Sequence, residues 1–105
     1  MKSDAPLSPD TERLIERDFP REQRAAAAQL LLTRCGSNLP LMGETSAADI
    51  ERVRFAVLKL TGGSIEALPR HVDIANIDWR DSLVAAGFGH GVLAHRAWFK
   101  EHMGD

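Results

Sequence analysis

The chain has a single cysteine, no tyrosine and no long uninterrupted apolar run. Because Cys35 has no second cysteine to pair with, no disulfide can form within the chain, and nothing points to an oxidising compartment. The N-terminal residues MKSDAPLSPDTER lack the apolar core of a signal peptide. No segment approaches the roughly 20 apolar residues that a membrane-spanning helix requires. We therefore expect a cytoplasmic protein that does not contact a membrane.

Basic residues are not in excess either. The chain has 13 Lys and Arg against 15 Asp and Glu, a formal net charge of -2 at pH 7. This balance gives no electrostatic attraction to nucleic acid or to an anionic membrane surface. The 105 residues, 44% of them hydrophobic and 27% charged, are typical of one globular domain with a single core.

Strand-like alternation is missing, and helix signals account for the first third of the chain. Ser8 followed by Pro9 is typical of a helix start, which predicts a helix over Pro9 to Asp18. A second helix is predicted over Arg21 to Arg34, which includes an alanine run and ends at Gly36 as a C-cap. Residues 1–8 are predicted to be a flexible lead, and 9–105 a single helical domain.

An apolar loop and the clearest helix follow. The segment SNLPLMGET, residues 37–45, is a loop by its Asn, Pro and Gly content and is expected to fold over the core. Ser46 to Asp49 resembles a capping box. The next helix has one apolar stripe and a solvated face, and Gly62-Gly63 ends it. The stripe is Ile50, Val53, Val57 and Leu60, and Phe55 and Leu58 widen it; the solvated residues are Glu51, Arg52, Arg54 and Lys59.

The last part of the chain predicts two or three more helices. Ser64 is a candidate cap, and Pro69 bends or delays the helix that follows it. Asp78 starts another helix, which ends in a glycine-rich elbow. The final helix, about Gly91 to His102, is expected to turn Leu93, Ala94, Ala97 and Trp98 toward the core. The fold expected is all-α, a compact single-domain bundle of five to six short helices. Its core is predicted to contain Val53, Val57, Leu60, Leu68, Val72, Leu83 and Trp98.

The polar cluster around the first tryptophan is the leading candidate for an interaction patch. Asp78, Arg80 and Asp81 bracket Trp79, and tryptophan with arginine is a composition enriched at interface hot spots. Helix capping by Asp and an exposed Arg–Asp pair would explain the same residues without a partner. The interaction hypothesis makes the chain a small non-enzymatic domain that binds another protein or a second copy of itself.

Two alternative functions remain open. His90 and His95, with Asp81, form an alternative polar site for an enzyme or a ligand-binding protein. Arg96 and Lys100, four residues apart, would suit a helix-turn-helix-like nucleic-acid binder. The spacing of His90, His95 and His102 does not place three metal ligands together, and no zinc, phosphate-loop or nucleophile-elbow motif is present. We assign no metal, cofactor or catalytic residue.

Three strings carry a resemblance to known sequences. VRFAVLKLTGG, DWRDSLVAAGF and AHRAW, between about Ile50 and Trp98, resemble a family of short helical bacterial proteins of unknown function. The resemblance implies a bacterial cytoplasmic origin and a compact helical fold. The resemblance implies no active-site residue in this chain.

Overall fold

Five α-helices make up most of the computed structural model, which describes residues 6–36, 39, 47–91 and 93–104. These helices are α1 (Pro9–Asp18), α2 (Arg21–Arg34), α3 (Ala47–Thr61), α4 (Leu68–Ala85) and α5 (Ala94–Met103). The described residues contain no strand. The Cα radius of gyration is 12.5 Å, close to the value of about 13 Å for a compact domain of 100 residues. The predicted all-α bundle of five to six helices is confirmed.

The first helix begins where its capping sequence predicts. The backbone N–H of Thr11 donates to Ser8 Oγ at 3.1 Å, and Pro9 occupies the first turn. Leu14 and Ile15 are buried, as is Thr11. The helix therefore gains its stability from docking as well as from its cap, since a helix of 10 residues is marginal alone.

The third helix lies at the centre of the bundle, where it contacts α1, α4 and α5. Phe55 and Leu58 are buried as predicted, and Ala56 is buried as well. The solvated face is wrong at two positions: Glu51 is 7% exposed and Arg54 is 2% exposed. A central helix is covered on nearly every side, so charged residues there must find partners within the protein.

Arg54 finds those partners at the end of α2. Its Nε donates to the carbonyl of Cys35 at 2.7 Å, and its two terminal nitrogens reach the carbonyls of Pro6 and Leu31 at 3.0 and 3.4 Å. A Cβ on Gly36 would lie 2.8 Å from Nη2 of this arginine. The predicted C-cap, Gly36, is one residue too late, because Cys35 is the C-cap residue. A side chain at position 36 would require the guanidinium of Arg54 to move.

The fourth helix contains the break that the sequence predicts. Asp78 has φ of -159° and ψ of 99°, which separates two helical segments. Pro69 lies in the first turn of α4, and the helix starts at Leu68 after a turn in which Ala67 N–H donates to Ser64 Oγ. The helix thus starts late enough for Pro69 to lie in its first turn, where a backbone N–H would have no intrahelical acceptor.

The fifth helix begins at Ala94, three residues later than predicted, and turns a different face inward. Its buried residues are His95 and Phe99, while Leu93 is 65% exposed. Ala97 is also exposed. Phe88, in the turn after α4, is 1% exposed and lies 5.8 Å from the ring of Trp98. The expectation that Leu93 and Ala97 face the core is wrong, because an aromatic cluster sets the orientation of α5 instead.

Five of the seven predicted core residues are buried, and the other two pack against the core. Leu60 and Trp98 are the partly buried pair. The predicted 37–45 loop and the Ser46 cap lie outside the described residues, except Leu39, which is buried. Residues 1–5 of the predicted lead are also outside them. Within the described ranges, no helix is long and apolar enough to cross a membrane.

Candidate functional site

The candidate interaction patch lies at the break in α4. Asp78 Oδ1 accepts the backbone N–H of Arg80 at 3.1 Å and its Nε–H at 3.2 Å. The side-chain hydrogen bond from Arg80, and then the backbone one, hold the pKa of the Asp78 carboxyl below its usual value. This is the capping arrangement that explains the cluster without a partner. It leaves most of the Arg80 side chain in solvent, at 62% exposure.

Apolar side chains surround this break on the outside of the molecule. Among the described residues, the exposed large hydrophobic side chains all lie in α4 or in the turn that precedes α5: Ile74, Ile77, Val84 and Leu93. Ile77, immediately before Asp78, is 80% exposed. Ile74 is one helical turn before it, so the two share a face. We call residues Ile74, Ile77, Asp78, Arg80 and Asp81 the α4 surface.

Trp79 takes a different position from the rest of the predicted patch. It is partly buried and packs against the core, so its ring serves the bundle. Arg80 and Asp81 are exposed. The large exposed apolar side chain next to the charges of the patch is Ile77.

The α4 surface is held against the end of α2. Arg34 forms an ion pair with Asp73, and the side-chain amide of Asn76 donates to the Arg34 carbonyl at 2.8 Å. These contacts lie beside Ile74 and Ile77 along the chain. They connect the first segment of α4 to a second helix and fix the base of the exposed apolar face.

A second polar cluster, buried, joins three helices at Glu51. One carboxylate oxygen, Oε1, lies 3.0 Å from His95 Nε2 and 2.9 Å from Arg96 Nη2. The other, Oε2, accepts the hydroxyl of Ser8 at 2.6 Å. Arg96 also pairs with Asp10 at 3.3 Å. The cluster therefore links the start of α1, the start of α3 and the start of α5.

The protonation state of His95 follows from these contacts. Burial lowers the pKa of His95, and the hydrogen bond and negative charge of Glu51 oppose that effect only in part. A neutral imidazole has one N–H, and the carboxylate on the Nε2 side accepts only, so Nε2 carries the proton. Nδ1 is then an acceptor, and it has no hydrogen-bond partner among the described residues.

This cluster does not have the geometry of nucleophilic catalysis. Activation of a serine requires its hydroxyl to donate to a general base, usually an imidazole nitrogen. Ser8 instead donates to the Glu51 carboxylate and accepts the Thr11 N–H as a helix cap. Burial raises the pKa of the Cys35 thiol to about 12, so this cysteine is held as an unreactive thiol.

The alternative polar site predicted from His90 and His95 is divided between surface and core. His90 and Asp81 are exposed, while His95 is 2% exposed and bound to Glu51. Across the described ranges, no group of three His, Cys, Asp or Glu side chains is arranged to hold a metal ion. Arg96, the phosphate contact of the helix-turn-helix hypothesis, is bound to Asp10 and Glu51.

The sequence analysis missed Glu51 as a buried partner. A signal was present, since Glu51, Phe55 and Leu58 are spaced 4 and 3 residues apart and share a helical face. The ring of Phe55 lies edge-on to His95 with centroids 5.1 Å apart. A carboxylate on the same helical face as two buried apolar residues indicates that the carboxylate is itself buried with a polar partner. The spacing does not identify that partner, which is 44 residues away.

No protein-family model, curated protein or solved structure matches this chain. The resemblance to short bacterial helical proteins therefore stays a prediction, and the function must be argued from the α4 surface and the chain's own contacts.

Proposed function

We propose that this chain is a small non-enzymatic protein-interaction domain, and that the α4 surface binds another protein or a second copy of the chain. The observation that carries the proposal is Ile77, which is 80% exposed next to the Asp78–Arg80 pair. Large apolar side chains grouped on a surface and edged by charges are typical of protein-binding sites.

Ile77 supplies most of the apolar area that a partner can cover, because Ile74 is only 38% exposed. Full burial of an isoleucine side chain is worth about 2 kcal/mol, so a partner that covers Ile77 gains nearly that much binding free energy, and it gains a smaller amount from Ile74. Arg80 is a suitable neighbour because its guanidinium donates in several directions and Asp78 uses only part of that capacity. The surface carries both signs of charge, which a second copy of the chain can complement through a two-fold interface.

The break at Asp78 supports the same proposal. In an uninterrupted helix, residues 77 and 84 would share a face. The extended backbone at Asp78 instead divides α4 into two helical segments. The first segment is held by α2 through Asn76, and the second is held by Leu83 in the core. A partner therefore meets a preformed surface and loses little free energy in ordering it.

The setting that we propose is bacterial and cytoplasmic, and the activity requires no cofactor. The lone buried thiol of Cys35 suits a reducing compartment, and the family resemblance supplies the bacterial origin. The enzymatic alternative is less well supported because Ser8 and His95 both hydrogen-bond to Glu51 inside the bundle. The nucleic-acid alternative would have to use Arg96 despite its two carboxylate partners.

The proposal is tested by co-purification from the native cell with matched surface variants. Ile77→Ser and Arg80→Ala remove apolar area and charge from the α4 surface, and Glu66→Ala is a control at an exposed position before α4. Trp79→Ala is a poor probe because its ring packs against the core. We expect Ile77→Ser and Arg80→Ala to lose a protein that the parent and Glu66→Ala retain, with helicity unchanged by circular dichroism. Equal recovery by all four proteins would contradict the proposal.

A further inference from the structure

A cleft of about 390 Å³ lies where α1, α3 and α5 end. It is lined by the last two residues of α1, by the last turn of α3 and the two glycines that follow it, and by Trp98 and His102 of α5. Gly63 has φ of 81°, and a Cβ there would lie 2.7 Å from the Asp18 carbonyl oxygen. Glycine at this position therefore permits the end of α1 to approach α3 and forms one wall of the cleft.

An imidazole is fixed in the wall formed by α5. His102 Nε2 lies 2.8 Å from Asp18 Oδ1, and the ring stacks on Trp98 with centroids 4.8 Å apart and planes inclined by 20°. The Asp18 side chain is 12% exposed and that of His102 is 30% exposed. Two contacts of different kinds thus orient the histidine, and its second ring nitrogen makes no hydrogen bond to the described part of the chain.

A lysine of α3 is fixed in the same cleft. Lys59 Nζ donates to the Ala86 carbonyl at 2.7 Å and lies 5.1 and 5.7 Å from the ring centroids of Phe88 and Trp98. An ammonium has three N–H donors, so one bond to a carbonyl leaves two for another acceptor. The aromatic rings hold the charge in place without consuming those donors.

Arg17 adds a second cation at the rim. It is exposed and makes no ion pair or hydrogen bond with the residues that the structure describes. The cleft therefore has donors to spare on Arg17 and Lys59, whereas its one carboxylate, Asp18, is already paired with His102. This excess of donors over acceptors favours an anionic ligand with several oxygens.

Complementarity to helix dipoles accounts for part of this arrangement. Arg17, Lys59 and His102 lie in the last turns of their helices, where a positive charge is favourable. That effect needs no cavity, however, and it does not require an imidazole stacked on tryptophan and oriented by a carboxylate. Lys100, also in the last turn of α5, is exposed outside the cleft lining and shows the dipole effect alone.

We propose that this cleft binds a small phosphate-bearing molecule. Lys59 and Arg17 donate to the phosphate oxygens, the His102 ring nitrogen that does not face Asp18 accepts a hydroxyl of the organic part, and Trp98 provides an apolar wall for that part. A cavity of this volume lies within the range of small-molecule sites. The site is separate in residues from the α4 surface, so either proposal can fail without the other.

The test is an NMR titration of the full chain with glycerol 3-phosphate, inorganic phosphate and glycerol at constant ionic strength. Glycerol 3-phosphate is expected to shift the Trp98 indole N–H and the His102 ring signals, inorganic phosphate to shift the same signals more weakly, and glycerol to leave them unchanged. Arg17→Gln and Lys59→Gln are each expected to weaken the affinity about tenfold, the value of one charge-assisted hydrogen bond. Lys100→Gln is the matched control, with the affinity of the parent.

Two results would overturn the proposal. One is the absence of saturable shifts at Trp98 and His102 with either phosphate probe. The other is an equal loss of affinity in Lys100→Gln, which would indicate only general attraction to positive charge. Arg17 is exposed at the end of α1, so Arg17→Gln folds normally and its affinity tests the site even if Lys59→Gln is destabilised.

Discussion

His95 of α5 lies 3.0 Å from Glu51 of α3, and both residues are buried. The carboxylate is bound on its other oxygen by the Ser8 hydroxyl, the N-cap of α1. One charged side chain therefore holds three helix ends together. Removal of the charge would leave donors of Ser8, His95 and Arg96 without their acceptor, and the stability of the bundle depends on it.

The first prediction concerns this carboxylate. Glu51→Ala should lower the free energy of unfolding by about 3 kcal/mol, because it breaks a buried, hydrogen-bonded charge cluster. Glu16→Ala, on the exposed side of α1, should change it by less than about 0.5 kcal/mol. Urea denaturation followed by circular dichroism measures both. Similar losses in the two variants would show that the cluster does not stabilise the fold.

The second prediction concerns pH. The pKa of His95 is lowered in the folded protein from its ordinary value of 6.5, so on acidification the unfolded chain binds a proton first. The contribution of neutral His95 to the free energy of unfolding is complete above about pH 6.5. It is lost as the pH falls through the lower pKa of the folded state. We expect the free energy of unfolding to decrease below pH 6.5, and to decrease less in His95→Gln, which can still donate to Glu51.

His71 has to be controlled in that experiment. Its pKa is also lowered, by burial and then by the charge of Arg70, so it contributes with the same sign. The slope of stability against pH should therefore be reduced in His71→Gln as well, and further in the double variant. Identical slopes for the parent and His95→Gln would refute the assignment of a depressed pKa to His95.

The third prediction concerns Arg54. Arg54→Met keeps much of the side-chain volume but leaves the buried carbonyl of Cys35 without its donor, whereas the Leu31 carbonyl keeps the N–H of Cys35. An unsatisfied buried polar group costs about 1–3 kcal/mol, so a loss of about 2 kcal/mol is expected. Arg70→Met, at an exposed position of α4, is the control and should remain near the parent. Equal urea midpoints for the two variants would contradict this role.

The fourth prediction compares two adjacent glycines. Gly62 and Gly63 both have positive φ, 63° and 81°, so an alanine at either position is strained by about 1 kcal/mol. A Cβ at Gly63 would also lie 2.7 Å from the Asp18 carbonyl oxygen, whereas one at Gly62 meets nothing within 4 Å. Gly63→Ala should therefore lower the melting temperature clearly more than Gly62→Ala. The same shift in both would mean that α1 does not approach α3 as closely as described.

Local signals in the sequence were sufficient to predict the helices. Ser8-Pro9 starts α1, Pro69 delays α4, and Asp78 caps its second segment, because capping and proline chemistry act within a few residues. The bounds Pro9–Asp18 and Arg21–Arg34 were predicted as observed. A fold built mostly from such local signals is one that sequence reasoning can reach.

The tertiary partners of charged residues were not predictable in the same way. Glu51 and Arg54 look solvent-exposed by type, yet both are buried because α3 is surrounded by other helices. Similarly, the inward face of α5 depends on how His95 and Phe99 meet Phe55 across the bundle. Such contacts join residues 19 to 48 positions apart, and helical periodicity within one segment does not identify the partner.

The exposure of the residues around the candidate interaction patch could be predicted only in part, for the same reason. The Asp78–Asp81 cluster marks a local feature, the break in α4, and the sequence located it correctly. Which apolar neighbour is exposed depends on the packing of the whole bundle, so Ile77 was missed and Trp79 was favoured. The cleft is lined by Asp18 and His102, which are 84 positions apart in the chain, so no sequence motif predicts it.

The most direct test of the proposed function is photo-crosslinking in the native cell from benzoylphenylalanine incorporated in place of Ile77. The control protein carries the same probe in place of Glu66, which is also exposed. We predict one discrete crosslinked species from position 77, either a dimer of the chain or a complex with one other protein, and none of that species from position 66. No discrete product from position 77, or the same product from both positions, would contradict the assignment of the α4 surface as a protein-binding site.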